Sequence, residues 1–115
     1  MNHLHYWCSL KAEVNAREFC DSVREFLGGL YERELIEGFN LARRDFAVDP
    51  PGLGEFHVTV DFRDAAQASR AFNEAGRENG EMEGMEKIVA EFVKDATVAM
   101  YRDWPPQIRK VKNEG

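Results

Sequence analysis

Between Glu55 and Arg63 the sequence reads EFHVTVDFR, with apolar and polar residues in strict alternation. That period is the signature of a β-strand whose two faces meet different surroundings, and β-branched and aromatic side chains suit a pleated surface. Phe56, Val58, Val60 and Phe62 form a core face. Glu55, His57, Thr59, Asp61 and Arg63 form the other, and what covers that second face is the question the rest of the chain must answer.

The 115 residues suffice for one domain and one core. A single unit over residues 1–104, followed by a polar tail over 105–115, is the expected organisation. Apolar runs fall short of the roughly 20 residues a membrane-spanning helix needs, so no membrane association is expected. The sequence opens without a basic segment followed by an apolar one, which points to a cytoplasmic location. A formal net charge of −6 argues against nucleic acid as a partner, since binding it requires a basic surface that displaces phosphate counterions. Cys8 and Cys20 lack metal-site spacing and lie in apolar-patterned segments, as buried reduced thiols do.

Taken in order, residues 2–8 read as a first strand, with Leu4, Tyr6 and Cys8 on one face and His3, His5 and Trp7 on the other. Asn15 followed by Glu18 is a capping-box pattern and opens a helix. Phe19, Cys20, Val23, Phe26, Leu27 and Leu30 form its apolar stripe, and Gly28-Gly29 places its end between Leu27 and Arg33. Leu35–Val48 is expected to be a second strand, in which Phe39 and Leu41 have one parity and Phe46 and Val48 the other. Asp49–Gly54 is a turn by composition. Asp64 and Gln67 cap a second helix that carries Ala68, Ala71, Phe72 and Ala75. Its stripe resumes with Met85, Ile88, Val89 and Phe92 after an interruption near Arg77–Glu83, and Lys94-Asp95 closes it. Thr97–Arg102 is the last strand, stopped by Asp103-Trp104-Pro105-Pro106.

The order strand, helix, strand, strand, helix, strand is the ferredoxin-like βαββαβ arrangement, an α+β fold with a four-stranded antiparallel sheet and two helices on one face. Over residues 2–104, and in the run from Ile36-Glu37-Gly38-Phe39 to Arg43-Arg44, the chain resembles the dimeric α/β-barrel superfamily, in particular its uncharacterised bacterial branches. The resemblance implies two sheets packed face to face in a dimeric α/β barrel, often around a pocket. Members of that superfamily range from cofactor-independent monooxygenases and haem-degrading enzymes to proteins without known activity, so it assigns neither cofactor nor reaction.

The face opposite the helices then carries His5, Trp7, His57, Thr59 and Asp61, which is too mixed for a second core and too aromatic for a plain solvent face. A homodimer that covers it is expected, because self-association buries such a patch. A small organic molecule held between the two sheet faces is the functional expectation, with a non-catalytic dimerisation or regulatory module as the alternative. His57 is the candidate for proton transfer, with Asp61 beside it as the second catalytic residue. His5, Trp7, Arg44, Thr59 and Tyr101 are the candidate ligand contacts, and Trp104 a further aromatic wall. A metal would require His3 or His5 to converge on His57; no metal site is assigned. Of the neighbours Arg43 and Arg44, strand geometry lets at most one serve a given site.

Overall fold

A computed structural model describes residues 1–45, 53–75 and 81–106. The alternating stretch is a strand, and its core-face residues Phe56, Val58, Val60 and Phe62 are all buried. In chain order the elements are β1 (Asn2–Leu10), α1 (Ala16–Glu32), β2 (Gly38–Arg43), β3 (Phe56–Phe62), α2 (Ala65–Ala75), α3 (Glu81–Phe92) and β4 (Val93–Arg102). The strands form one antiparallel sheet in the order β2-β3-β1-β4. The fold is ferredoxin-like, as the order of elements implies. Register fixes the faces. Leu4 lies opposite Val60 and Met100, and Tyr6 opposite Val58 and Val98, on the helix side; His5 lies opposite Thr59 and Ala99, and Trp7 opposite His57 and Thr97, on the open side.

Asn15 starts α1 by accepting from the N–H groups of Arg17 and Glu18 at 2.8 and 3.1 Å, which satisfies two donors the helix cannot. Phe19, Val23, Leu27 and Leu30 are its buried stripe. The helix ends in a Schellman turn, with the Leu35 N–H on the Leu30 carbonyl and the Glu34 N–H on that of Tyr31, both at 3.0 Å. Glu34 sits there with φ +61°, a position glycine usually holds. The residues just past this turn, Leu35 and Ile36, plug the core. Asp64 caps α2 through the Gln67 N–H at 2.8 Å, and the fully buried Gln67 side chain answers the Arg63 N–H at 2.6 Å. Its amide also donates to the Glu34 carbonyl and to Glu37, so one residue ties the ends of α1 and β3 together.

Four boundaries differ from the sequence expectation. The second strand is Gly38–Arg43 and not Leu35–Val48, because Leu35 and Ile36 turn into the core before pairing begins; Phe46 and Val48 lie outside the described residues. Most of the Asp49–Gly54 turn, the tail beyond Pro106, the interruption at 76–80 and the Ala75 and Met85 side chains also lie outside them. The first strand runs on to Leu10, past a register shift between Ser9 and Leu10 that leaves Lys94 of the last strand without a partner in the register. The last strand starts at Val93, so Lys94 and Asp95 belong to it and do not end a helix: pairing with β1 from Leu10 onward overrides their weak strand propensity. Finally, the second helical region is two helices, which makes three among the described residues where two were expected. The helix layer leaves the outer part of β4 bare, with Val98 54% and Met100 43% exposed.

Candidate functional site

The antiparallel pairing of β1 with β3 and β4 gathers the open-face rings into one layer. Trp7 and His57 are direct partners across the strands, stacked with centroids 5.0 Å apart and planes within 7°. His5 lies nearly parallel to both, 5.5 Å from Trp7 and 5.1 Å from His57, and meets Tyr101 edge-on at 4.9 Å. The two imidazoles are also joined in their planes, His5 Nδ1 to His57 Nε2 at 2.9 Å, and Thr59 Oγ1 stands 3.4 Å from the same Nε2. One N–H serves a neutral pair, whereas two protonated rings would repel. Burial first, then the neighbouring His5, lowers the His57 pKa below the ordinary histidine value, so the ring stays neutral at pH 7.

His3 shares the face but belongs to a separate cluster. Its Nδ1 donates to Asp61 at 2.7 Å and its Nε2 to Asp103 at 2.8 Å, while the amino group of Met1 reaches the other Asp103 oxygen at 3.1 Å. The hydrogen bond to Asp61, reinforced by the one to Asp103, raises the His3 pKa; His3 in turn holds the Asp103 carboxyl below its usual value. Asp61 is thus engaged by His3, not by His57.

Of the sequence candidates, the structure brings His5, Trp7, His57, Thr59 and Tyr101 together. Arg44 is elsewhere, its Nη1 on the Leu53 carbonyl at 3.1 Å. Trp104 stands 78% exposed past the end of β4. Among the described residues no group of three or more His, Cys, Asp or Glu side chains is placed to hold a metal ion. Cys8 is fully buried, and burial pushes its thiol up to about 11; Cys20 is half-buried.

Apolar space, partly open to solvent, lies on the other side of the sheet. A cavity of about 150 Å³ separates sheet from helices, with Leu4, Tyr6, Val58 and Val60 as floor, Phe62 at one side, and Leu27, Leu30, Ala71, Phe72, Ile88 and Val89 as roof. Its described walls are apolar, Tyr6 contributing carbon surface; burial raises the pKa of the Tyr6 phenol, which remains a hydroxyl. The expectation of a pocket at His57 did not anticipate this cavity. Its trace in the sequence is the inward stripe of α2, where Ala68 and Ala71 are too small to fill the space above a sheet.

Comparisons with known proteins agree with the architecture. A DABB-family protein of ferredoxin-like fold from Mesorhizobium loti superposes with a TM-score of 0.67 at 15% identity, over 89% of this chain and 95% of its own. A dimeric ferredoxin-like protein of unknown function from Jannaschia sp. CCS1 gives 0.67 at 12%, over 89% and 98%. An antibiotic biosynthesis monooxygenase gives 0.63 at 19%, over 91% and 100%. At these identities the likeness is one of fold. A search of curated proteins finds no match. The sequence profile of a family of unknown function, DUF6614, matches residues 1–114, and the chain belongs to that family.

Proposed function

We propose that this member of DUF6614 is a homodimer that binds a small, largely apolar organic molecule in the cavity between its sheet and its helices. The observation that carries the reading is the cavity itself. Protein interiors pack about as densely as organic crystals, so a space of this size lined by aliphatic and aromatic side chains is a departure from the norm. An apolar cavity of this volume is known to admit a ligand of about one aromatic ring. Tyr6 lines the cavity with carbon surface, and no other titratable side chain lines it among the described residues, so the proposal is binding, without a reaction.

The homodimer follows from the opposite face. Four rings gathered on an uncovered sheet are a surface that a second copy buries, and dimers are the form of the Jannaschia protein of the same fold.

One observation favours a second reading. His57, held neutral and linked to His5 with Thr59 beside it, is a proton acceptor on the face a partner would close. A ligand held between the sheets would then meet Trp7 and Tyr101 as walls and His57 as base. Asp61 and Arg44 would contribute only after leaving the partners they hold here.

Thermal unfolding with benzene, indole and benzoate separates the readings. If the cavity is the site, apolar single-ring compounds raise the Tm of wild type and His57→Ala but not of Ala71→Leu, whose side chain fills the space. Loss of the effect in His57→Ala with retention in Ala71→Leu would move the site to the ring face. No stabilisation of wild type by any of the three would refute ligand binding of this class.

A further inference from the structure

The acidic chain concentrates three arginines around one groove that neither the cavity nor the ring face uses. Arg17 and Arg24 stand on α1 at a spacing of seven residues, two turns apart on the same side, with Cys20 between them. Arg43 reaches the same space from β2. Together with Ala16, Leu41, Ala42 and Phe56 these residues line a groove of about 290 Å³. No acidic side chain lines it among the described residues.

Two carboxylates pair with these arginines among the described residues. Arg43 donates to Glu55 Oε2 from both Nε, at 2.9 Å, and Nη2, at 2.5 Å, and its guanidinium lies 5.2 Å over the Phe56 ring. That pairing fixes the orientation of the planar group and leaves donors over. Arg17 reaches Asp21 only at 3.9 Å, beyond hydrogen-bond distance, and both are well exposed. Among the described residues, none makes a hydrogen bond or ion pair with the Arg24 side chain. Three guanidinium groups against two carboxylates, with Arg24 uncommitted, is an arrangement poor in internal compensation. Guanidinium presents its N–H groups in a planar fork that matches a carboxylate or phosphate edge, and Leu41 and Ala16 offer apolar surface for the carbon body behind such a group.

We propose that this groove binds a small organic anion through Arg17, Arg24 and Arg43. The shared chemistry is an oxyanion, carboxylate or phosphate, attached to a short carbon skeleton. The site stands on different residues from the cavity and the ring face, and its success or failure is independent of theirs.

Calorimetric titration at fixed ionic strength tests it, with citrate and inorganic phosphate as probes and chloride as the balancing salt. Saturable binding of one molecule per chain is expected, the tighter of the two probes identifying the source as carboxylate or phosphate. Arg24→Ala and Arg43→Ala should each weaken it at least tenfold, whereas Arg70→Ala, an exposed arginine on α2, should leave it unchanged. Arg24→Gln guards against misfolding, since Arg24 is exposed and Gln keeps much of its carbon stem. Cys20 gives a second readout: its alkylation by iodoacetamide should slow when the anion is bound, while the buried Cys8 stays silent. Absence of saturable binding by either probe, or wild-type affinity in folded Arg24→Ala and Arg24→Gln, would overturn the proposal.

Discussion

Val60 sits in the middle of β3, 6% exposed, with its side chain in the floor of the cavity, and substitutions in both directions report on that space. Val60→Ala removes two methyl-sized groups from a buried position, a transfer loss of about 1.6 kcal/mol. Enlarging a void that already exists adds up to about 1 kcal/mol more, for a total of about 1.6–2.6 kcal/mol. In a domain of this size that corresponds to a fall in Tm of roughly 6–10 °C. Val60→Ile has the opposite sign. The added methylene enters empty space and is expected to stabilise by about 0.8 kcal/mol, a rise of about 3 °C. In a filled core the same change would cost about 1–3 kcal/mol in forced rotamers and backbone shifts. Thr59→Ala, one residue away on the other face, should stay within about 0.5 kcal/mol. Urea titrations of the three variants with a common m-value decide the matter. A destabilised Val60→Ile would show that no usable space lies above β3, and equal losses for Val60→Ala and Thr59→Ala would refute the assignment of faces.

Other perturbations follow from particular contacts. A Cβ on Gly54 would meet the Cys8 backbone at 2.5 Å, so Gly54→Ala must displace β1 or the chain entering β3; circular dichroism melts should show a loss of more than about 2 kcal/mol. Glu34→Gly relieves left-handed strain of about 1–2 kcal/mol and returns about 0.4–1 kcal/mol to the unfolded chain, for a net gain of about 0.5–1 kcal/mol in chemical denaturation. His3 and His57 titrate with opposite consequences. The raised pKa of His3 gives stability that is complete below its unfolded value of about 6.5 and disappears as pH rises through the folded value, so the difference between wild type and His3→Gln should be larger at pH 5.5 than at pH 8.5. The lowered pKa of His57 makes its contribution present above about 6.5 and lost as pH falls, so His57→Gln should reduce the acid sensitivity of the melt.

The parts of the fold that the sequence displays are those set by short-range pattern. Alternation over Glu55–Arg63 assigned both faces of β3, and β1 followed by the same parity, which is why His5, Trp7 and His57 were legible as one layer. Asn15 announced α1 because a capping side chain acts on its own next two or three residues. Long-range effects were hidden. Glu34 ends α1 in a conformation its residue type disfavours, a cost that the fixed position of the helix end on the sheet absorbs. The start of β4 at Val93 depends on a partner over eighty residues earlier. Asp61 looked like a companion of His57 because both lie on one strand face, yet His3 on the neighbouring strand, directly opposite, takes it, helped by Asp103 arriving from beyond β4. The cavity is a property of what is missing between elements. Only the alanines of α2 hint at it.

The presence of guest-accessible space beneath the helices is tested most directly by a crystal structure determined under xenon pressure. A xenon peak is expected on the helix side of the sheet, in contact with Val60, Leu30 and Ala71. A well-ordered crystal without xenon there, its side chains closed over Val58 and Val60, would contradict ligand binding in this cavity.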